Sequence, residues 1–144
     1  MASPVKQVIL SPEVRRHVID HIRESLPKEA VGILAGTVEG KIELVVPLLN
    51  ISQDRRSFVA DPFEQYLALR RIKSMGLELL AIYHSHPGGG SDPSADDLKY
   101  AQPWQCWQLI VPVDASGKVP ERLEAFRCLP VGSIEKVPVV MSQG

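Results

Sequence analysis

Residues 77–83, Leu-Glu-Leu-Leu-Ala-Ile-Tyr, form a largely apolar, β-prone run that feeds directly into His84-Ser85-His86-Pro87 and then into Gly88, Gly89 and Gly90. No other stretch constrains the fold as strongly. The run reads as a strand of a buried sheet that ends at a proline and a loop able to turn tightly. Successive strand side chains alternate between faces, so His84 and His86, two apart at the strand's end, share one. Asp97 follows a loop and about one helical turn later, close enough to fold back toward them. Two imidazoles and a carboxylate are three protein ligands for zinc (Zn2+), and a tetrahedral ion held by three side chains keeps a fourth position for water. An open position belongs to catalysis rather than to structure.

Plainer readings exist for each residue alone. Ser94-Ala95-Asp96-Asp97 has a serine at a helix N-cap and an acid three residues on, which is a capping-box pattern, and the acid also complements the helix dipole. Each histidine alone is an ordinary polar residue where a strand leaves the core. Taken together, the i, i+2 pair, the proline, the glycines and the returning carboxylate favour the metal. His17 and His21, four apart on the first expected helix, form a second pair. Val18 stands where the helical metalloprotease motif requires Glu, and both rings border the apolar stripe, so they read as surface or half-buried side chains.

The 144 residues, 44% of them hydrophobic, suffice for one compact domain, residues 1–144, with a substantial core. Sixteen basic against 17 acidic residues give a formal net charge of −1, and no basic run is long enough to track a phosphate backbone, so no nucleic-acid partner is expected. The N-terminus has no signal-peptide pattern and no apolar run approaches the ~20 residues of a membrane span, which predicts a cytoplasmic protein without membrane attachment. Cys106 and Cys128 show no CxxC spacing. Burial is the default for both, with a disulfide across neighbouring strands a minor alternative.

The pattern along the chain predicts a strand over 5–10, a helix over 12–25 capped by Ser11, strands over 30–34 and 41–48 around a turn at 38–40, and a short strand at 58–60. A helix capped by Asp61 then runs to Met75, with Gly76 as its stop. The histidine strand over 77–83 follows, then a short helix over 94–101 and strands near 105–113, 122–128 and 136–141. The stripe Val14, Val18, Ile22 and Leu26 marks the buried face of the first helix.

Zinc with an open position acidifies a water and polarises a carbonyl, so amide hydrolysis is the natural reaction class. A general base near the water but off the metal must then pass its proton to the leaving amine. Glu29 enters the apolar segment Ala30-Val31-Gly32-Ile33-Leu34, where partial burial would raise its proton affinity. It also reads as an exposed carboxylate beside Lys28. Between those two readings of Glu29 the residues alone do not choose; Glu43, Glu64 and Glu78 are weaker candidates, since nothing ties them to the end of the histidine strand.

Glu29 with Gly32 and Gly36, then His84-Ser85-His86-Pro87, Pro93-Ser94 and Asp97, with seven residues between His86 and Ser94, resembles the full JAMM (MPN-plus) metalloprotease motif. The resemblance reaches from Glu29 through Ala60-Asp61-Pro62 to the paired strands near the end, and widely separated elements agree. It implies a cytidine-deaminase-like α/β/α sandwich with a central mixed, largely antiparallel sheet flanked by helices. It also implies His84, His86 and Asp97 as zinc ligands, Glu29 as general base and Ser94 as the hydroxyl that stabilises the oxyanion. Family members cleave after the C-terminal Gly-Gly of ubiquitin or ubiquitin-like β-grasp proteins, and small members resemble prokaryotic enzymes acting on β-grasp sulfur carriers. A tail without side chains suits a narrow cleft and addition to a sheet edge, with the loops over 50–57 and 88–92 as its walls. Ser52, Arg55 and Arg56 read equally well as solvated loop residues, and Trp104 and Trp107 as core.

The competing readings are a metal-free MPN-type scaffold, a general deubiquitinase-like isopeptidase, a nucleobase deaminase and a RadC-like DNA-associated relative. Intact ligands oppose the scaffold, the shortness of the chain opposes linkage-specific deubiquitination, and the lack of a P-C-x-x-C motif opposes the deaminase. Near-neutral charge opposes the last. Self-association into a homodimer stays open.

Overall fold

Strand β2 (Val31–Gly36) has all six residues buried, because it is paired on both edges and covered on both faces. That is the physical meaning of its uninterrupted apolar sequence. The computed structural model describes residues 5–54, 57–101, 104, 106–129 and 132–143. The earlier elements are β1 (Ile9–Leu10) and α1 (Pro12–Ser25). After β2 come β3 (Ile42–Leu48), α2 (Pro62–Ser74), β4 (Glu78–Pro87), α3 (Ala95–Ala101), β5 (Trp107–Val113), β6 (Glu124–Cys128), β7 (Ile134–Pro138) and β8 (Val140–Met141).

The main sheet has the order β3-β2-β4-β5-β6-β7, antiparallel throughout except for the parallel pair β4 and β5. Helix α1 lays Val18 and Ile22 on one face, in a cluster with Leu34, Tyr83 and Leu109. On the other face Ala68 and Ile72 of α2 meet Val31, Ile33 and Ile82, while Ala101 of α3 meets Ile110 and Phe126. The result is the α/β/α sandwich with a mixed, largely antiparallel sheet.

Local signals set the helix ends as expected. Ser11 Oγ accepts the Val14 N–H at 3.2 Å with Pro12 in the first turn, and Asp61 Oδ1 accepts from Phe63 N and Glu64 N. Gly76, at φ 70°, turns the chain out of α2, a backbone region that disfavours residues with a Cβ.

Four expectations are corrected. Residues 5–10 pair as a strand only at Ile9–Leu10, in parallel with β8; Val5 and Val8 are buried, so their apolar character serves packing rather than a ladder. Residues 58–60 form no strand, only a bridge between Ala60 and Asn50, because Phe58 packs on His84 instead. The run 136–141 divides at Val139, whose N–H bonds Leu123 O; β7 ends there and β8 joins the small sheet with β1. Finally, β4 does not stop at Tyr83. Its partner β5 keeps it in register as far as Pro87 opposite Val113, so both histidines lie within the strand.

The start expected near Gln105, and Arg55 and Arg56, fall outside the described residues. Cys106 and Cys128 are free thiols. Burial pushes the Cys106 thiol up to about 12. Among the described residues no helix is long and apolar enough to cross a membrane.

Candidate metal centre

The register brings four chain segments to one end of the sheet. Val31, at the start of β2, lies opposite both Leu48, where β3 ends, and His84, while Pro87 at the end of β4 lies opposite Val113 at the end of β5. Glu29 sits two residues before Val31, so the topology alone delivers it to the histidines. Short-range bonds then fix it. The Ala30 N–H donates to Ser85 Oγ at 2.8 Å, the Ser85 N–H donates to Ala30 O at 3.1 Å, and Asn50 Nδ2 donates to Glu29 O at 2.8 Å. Glu29 is 5% exposed and His84 1% exposed, whereas Glu43, Glu64 and Glu78 are all exposed.

Glu29, His84 and His86 each present a ligand atom within 4.8 Å of the others. Glu29 Oε1 lies 3.6 Å from His84 Nδ1. Asp97 enters from the opposite side, with Oδ1 at 3.7 Å from His84 Nε2 and Oδ2 at 2.8 Å from His86 Nε2. His86 Nδ1 lies 2.9 Å from Gly90 O, so the glycine loop orients that ring. Ser94 and Asp97 do form the reciprocal capping box. Ser94 Oγ accepts the Asp97 N–H at 3.1 Å and Asp97 Oδ2 accepts the Ser94 N–H at 2.8 Å. The cap and the site are therefore one arrangement, since the bonds that start α3 also aim the carboxylate.

Burial raises the proton affinity of Asp97, but the hydrogen bond to His86, the neighbouring His84 and the Ser94 N–H outweigh it and bring the carboxyl down to about 2. For His86, burial opposes the charged form, and the hydrogen bonds to Asp97 and Gly90 together with the Asp97 and Glu29 charges reverse that and raise its pKa.

Two buried atoms, Glu29 Oε1 and His84 Nδ1, have no hydrogen-bond partner. Buried polar atoms are ordinarily paired, and an orphan costs roughly 1–3 kcal/mol. Two imidazoles, two carboxylates and unsatisfied acceptor capacity at one buried point make a nitrogen and oxygen donor set suited to a divalent ion such as zinc. The residues present fit such an ion.

Several contributors were given no role by the sequence, although Ser85 and Gly32 stand within the motif. Ser85, between the histidines, clasps Ala30; Asn50 holds the Glu29 carbonyl; Phe58 packs its ring 4.5 Å from that of His84. Gly32 is required because a Cβ there would run into the ring of the buried Tyr83. The second histidine pair has a structural use: His21 Nδ1 lies 2.6 Å from the Tyr83 hydroxyl, on the α1 side of the sheet. Trp107 is core, with Nε1 donating to Val5 O, and Trp104 is partly buried beside Tyr100. Ser52 closes its own loop by bonding Ser57 Oγ at 2.7 Å.

A buried cluster of this kind, at the end of the sheet of an α/β/α sandwich, is a candidate centre for a divalent metal. The model for prokaryotic homologs of the JAB domain matches residues 11–129, and the chain belongs to that family, the small prokaryotic branch of the JAMM peptidases. A probable TtuB-protein conjugate cleaving protease of Thermus thermophilus is 41% identical over 95 residues, covering 65% of this chain and 62% of that protein. A desampylase of Haloferax volcanii is 32% identical over 108 residues, covering 71% of this chain and 77% of the relative. A CysO-cysteine peptidase of Mycobacterium tuberculosis is 27% identical and covers 92% and 89%. The crystal structure of a JAB1/MPN domain protein from Archaeoglobus fulgidus shares the fold, with a TM-score of 0.62 at 17% identity over 94% of this chain and 100% of that one.

Proposed function

We propose that the chain is a zinc-dependent peptidase or isopeptidase that hydrolyses the bond after the C-terminal Gly-Gly of a ubiquitin-like β-grasp protein, in the cytoplasm. His84, His86 and Asp97 would hold the zinc, which supplies Lewis acidity toward water and the scissile carbonyl. Glu29 Oε1 takes a proton from the attacking water and returns it to the leaving amine. Ser94, whose Oγ accepts the α3 cap bond, keeps its own O–H free to donate to the oxyanion. The single observation that carries this reading is the buried, unpartnered Glu29 Oε1 beside His84.

The relatives' names support the substrate class, since one cleaves TtuB conjugates and another CysO-cysteine. The surface supports a protein partner. Leu49, Ile51 and Val59 on the loop and Phe63 and Leu67 on α2 are exposed large apolar side chains, Phe63 to 67%. They lie on the segments that follow β3, where Asn50 and Phe58 reach into the site, and exposed apolar groupings mark interaction surfaces.

The test joins a β-grasp protein ending in Gly-Gly to a second polypeptide and compares three enzymes. Wild type should cleave with one zinc per chain, Glu29→Gln should keep zinc without cleaving, and Asp97→Ala should lose zinc and activity. A second reading takes Glu29, His84 and His86 as the ligand set, because their atoms form the tight group. Zinc loss in Glu29→Gln with retention in Asp97→Ala would favour it and remove Glu29 as the base.

A further inference from the structure

The peptide group that joins Glu29 to Ala30 is held at both ends by side chains from other segments. Its carbonyl, Glu29 O, accepts from Asn50 Nδ2 at 2.8 Å, and its N–H, on Ala30, donates to Ser85 Oγ at 2.8 Å. A peptide group is planar, so holding both of its polar atoms fixes the plane from which the Glu29 side chain departs. Glu29 Oε1, the oxygen 3.6 Å from His84 Nδ1, is buried without a hydrogen-bond partner. With no bond of its own to aim it, that oxygen takes its direction from the backbone and the packing around it.

Asn50 uses its whole amide. Nδ2 also donates to Ser57 O at 3.3 Å, while Oδ1 accepts from Ser52 N and Val59 N, both at 3.0 Å. All four partners are backbone atoms with fixed roles, so the amide can face only one way, donor toward the two carbonyls and acceptor toward the two N–H groups. The main chain adds a bridge between Asn50 and Ala60 and a bond from Ile51 N to Val59 O at 2.8 Å, which close the loop over 51–59 at the point where Asn50 sits. The residue type follows from these demands. Aspartate has the acceptor without the donor, serine has one proton on a shorter arm, and glutamine adds a methylene that displaces the amide.

We propose that Asn50 is a positioning residue for the Glu29 general base: it clamps the Glu29 carbonyl opposite the Ser85 clasp and so fixes the plane from which the carboxylate is aimed at the attacking water. The inference rests on the peptidase reading above. Asn50 touches no reacting atom and acts only through the backbone of Glu29. Misplacing a reacting group by about 1 Å costs on the order of a hundredfold in rate, so the contribution falls in kcat. His84, His86 and Asp97 reach the centre from β4 and α3 and do not depend on this carbonyl.

The test compares Asn50→Asp and Asn50→Ala with wild type in two measurements on the full-length protein. The first is amide hydrogen exchange of the metal-free form, read residue by residue by NMR. Asn50→Asp loses the donor and keeps an acceptor oxygen, so the Ala30 N–H should exchange about tenfold faster while the Ser52 and Val59 N–H groups stay at wild-type rates. In Asn50→Ala all three should speed up. The second is turnover of a β-grasp protein ending in Gly-Gly and joined to a second polypeptide, by the zinc-loaded form. Both variants should keep wild-type zinc content and a KM within about twofold, and lose about tenfold or more in kcat. Wild-type kcat and Ala30 exchange in both variants, or a change in KM alone, would overturn the positioning role while leaving the peptidase reading intact. Loss of zinc from the variants would also overturn it, by placing Glu29 among the ligands. A wild type that cleaves no conjugate would overturn the peptidase reading and the role derived from it.

Discussion

Ser85 and Ala30 are joined twice: the Ala30 N–H donates to Ser85 Oγ at 2.8 Å and the Ser85 N–H donates to Ala30 O at 3.1 Å. The clasp ties the residue after Glu29 to the residue between the two histidines, and so holds the Glu29 segment against the histidine strand. Ser85 is fully buried, so water cannot replace its hydroxyl.

Ser85→Ala should therefore destabilise the protein by about 1–3 kcal/mol, the cost of a buried donor left unpaired. Zinc content should stay at the wild-type level while kcat falls, because Glu29 loses its anchor and the ligands do not. Denaturant midpoints, metal analysis and kcat together check this. A variant with wild-type kcat would show that the clasp does not position the base.

Gly32→Ala should destabilise without touching any ligand. The added Cβ would meet the Tyr83 ring, which is fully buried and anchored through its hydroxyl to His21. Overpacking of this kind costs about 1–3 kcal/mol. A smaller side chain at Tyr83 should relieve the clash, so the double variant Gly32→Ala/Tyr83→Leu should be less destabilised than the sum of its parts. Thermal melts of the four proteins give the answer.

In chelator-treated protein the His86–Asp97 pair should be worth most in mildly acidic solution. The Asp97 carboxyl, lowered from 3.8 to about 2, contributes stability that is present above 3.8 and lost as pH falls toward 2. The His86 pKa is raised above 6.5, so its contribution is complete below 6.5 and lost as pH rises through the folded value. Denaturant midpoints of metal-free wild type and Asp97→Asn should differ most between those limits and converge toward either extreme. In the presence of zinc the trend above 6.5 should reverse, since a deprotonated imidazole binds the metal. A constant difference across the range would exclude the pair as its source.

The two thiols should react at different rates. Cys106 is 4% exposed with its thiol pushed up to about 12, whereas Cys128 is half-buried. Thiolate is the reactive form, so a disulfide reagent should label Cys128 first and Cys106 only on unfolding. Equal labelling rates in the native protein would contradict the burial of Cys106.

Much of the site follows from neighbours in the chain. Strand alternation puts His84 and His86 on one face, the Ser94–Asp97 box starts a helix, and Ser11-Pro12 and Asp61-Pro62 open two others, because each device spans only a few residues. The family motif favoured Glu29 as a site residue, where the residues alone ranked it first among the glutamates but left it equally readable as an exposed carboxylate beside Lys28.

Contacts between residues far apart in sequence are a different matter. Nothing local marks Ser85 as the acceptor for Ala30, Asn50 as the donor to Glu29, Phe58 as a partner for His84, or Gly32 as the space for Tyr83. Nor does β4's own sequence show that it stays paired to Pro87, which depends on β5 lying alongside in register. Periodicity fixes which way a side chain faces; what it meets there is decided only when the strands align and the layers close. The sequence by itself thus determined the candidate ligand types and their spacing, and the tertiary structure decided which carboxylate is buried beside them and what holds it there.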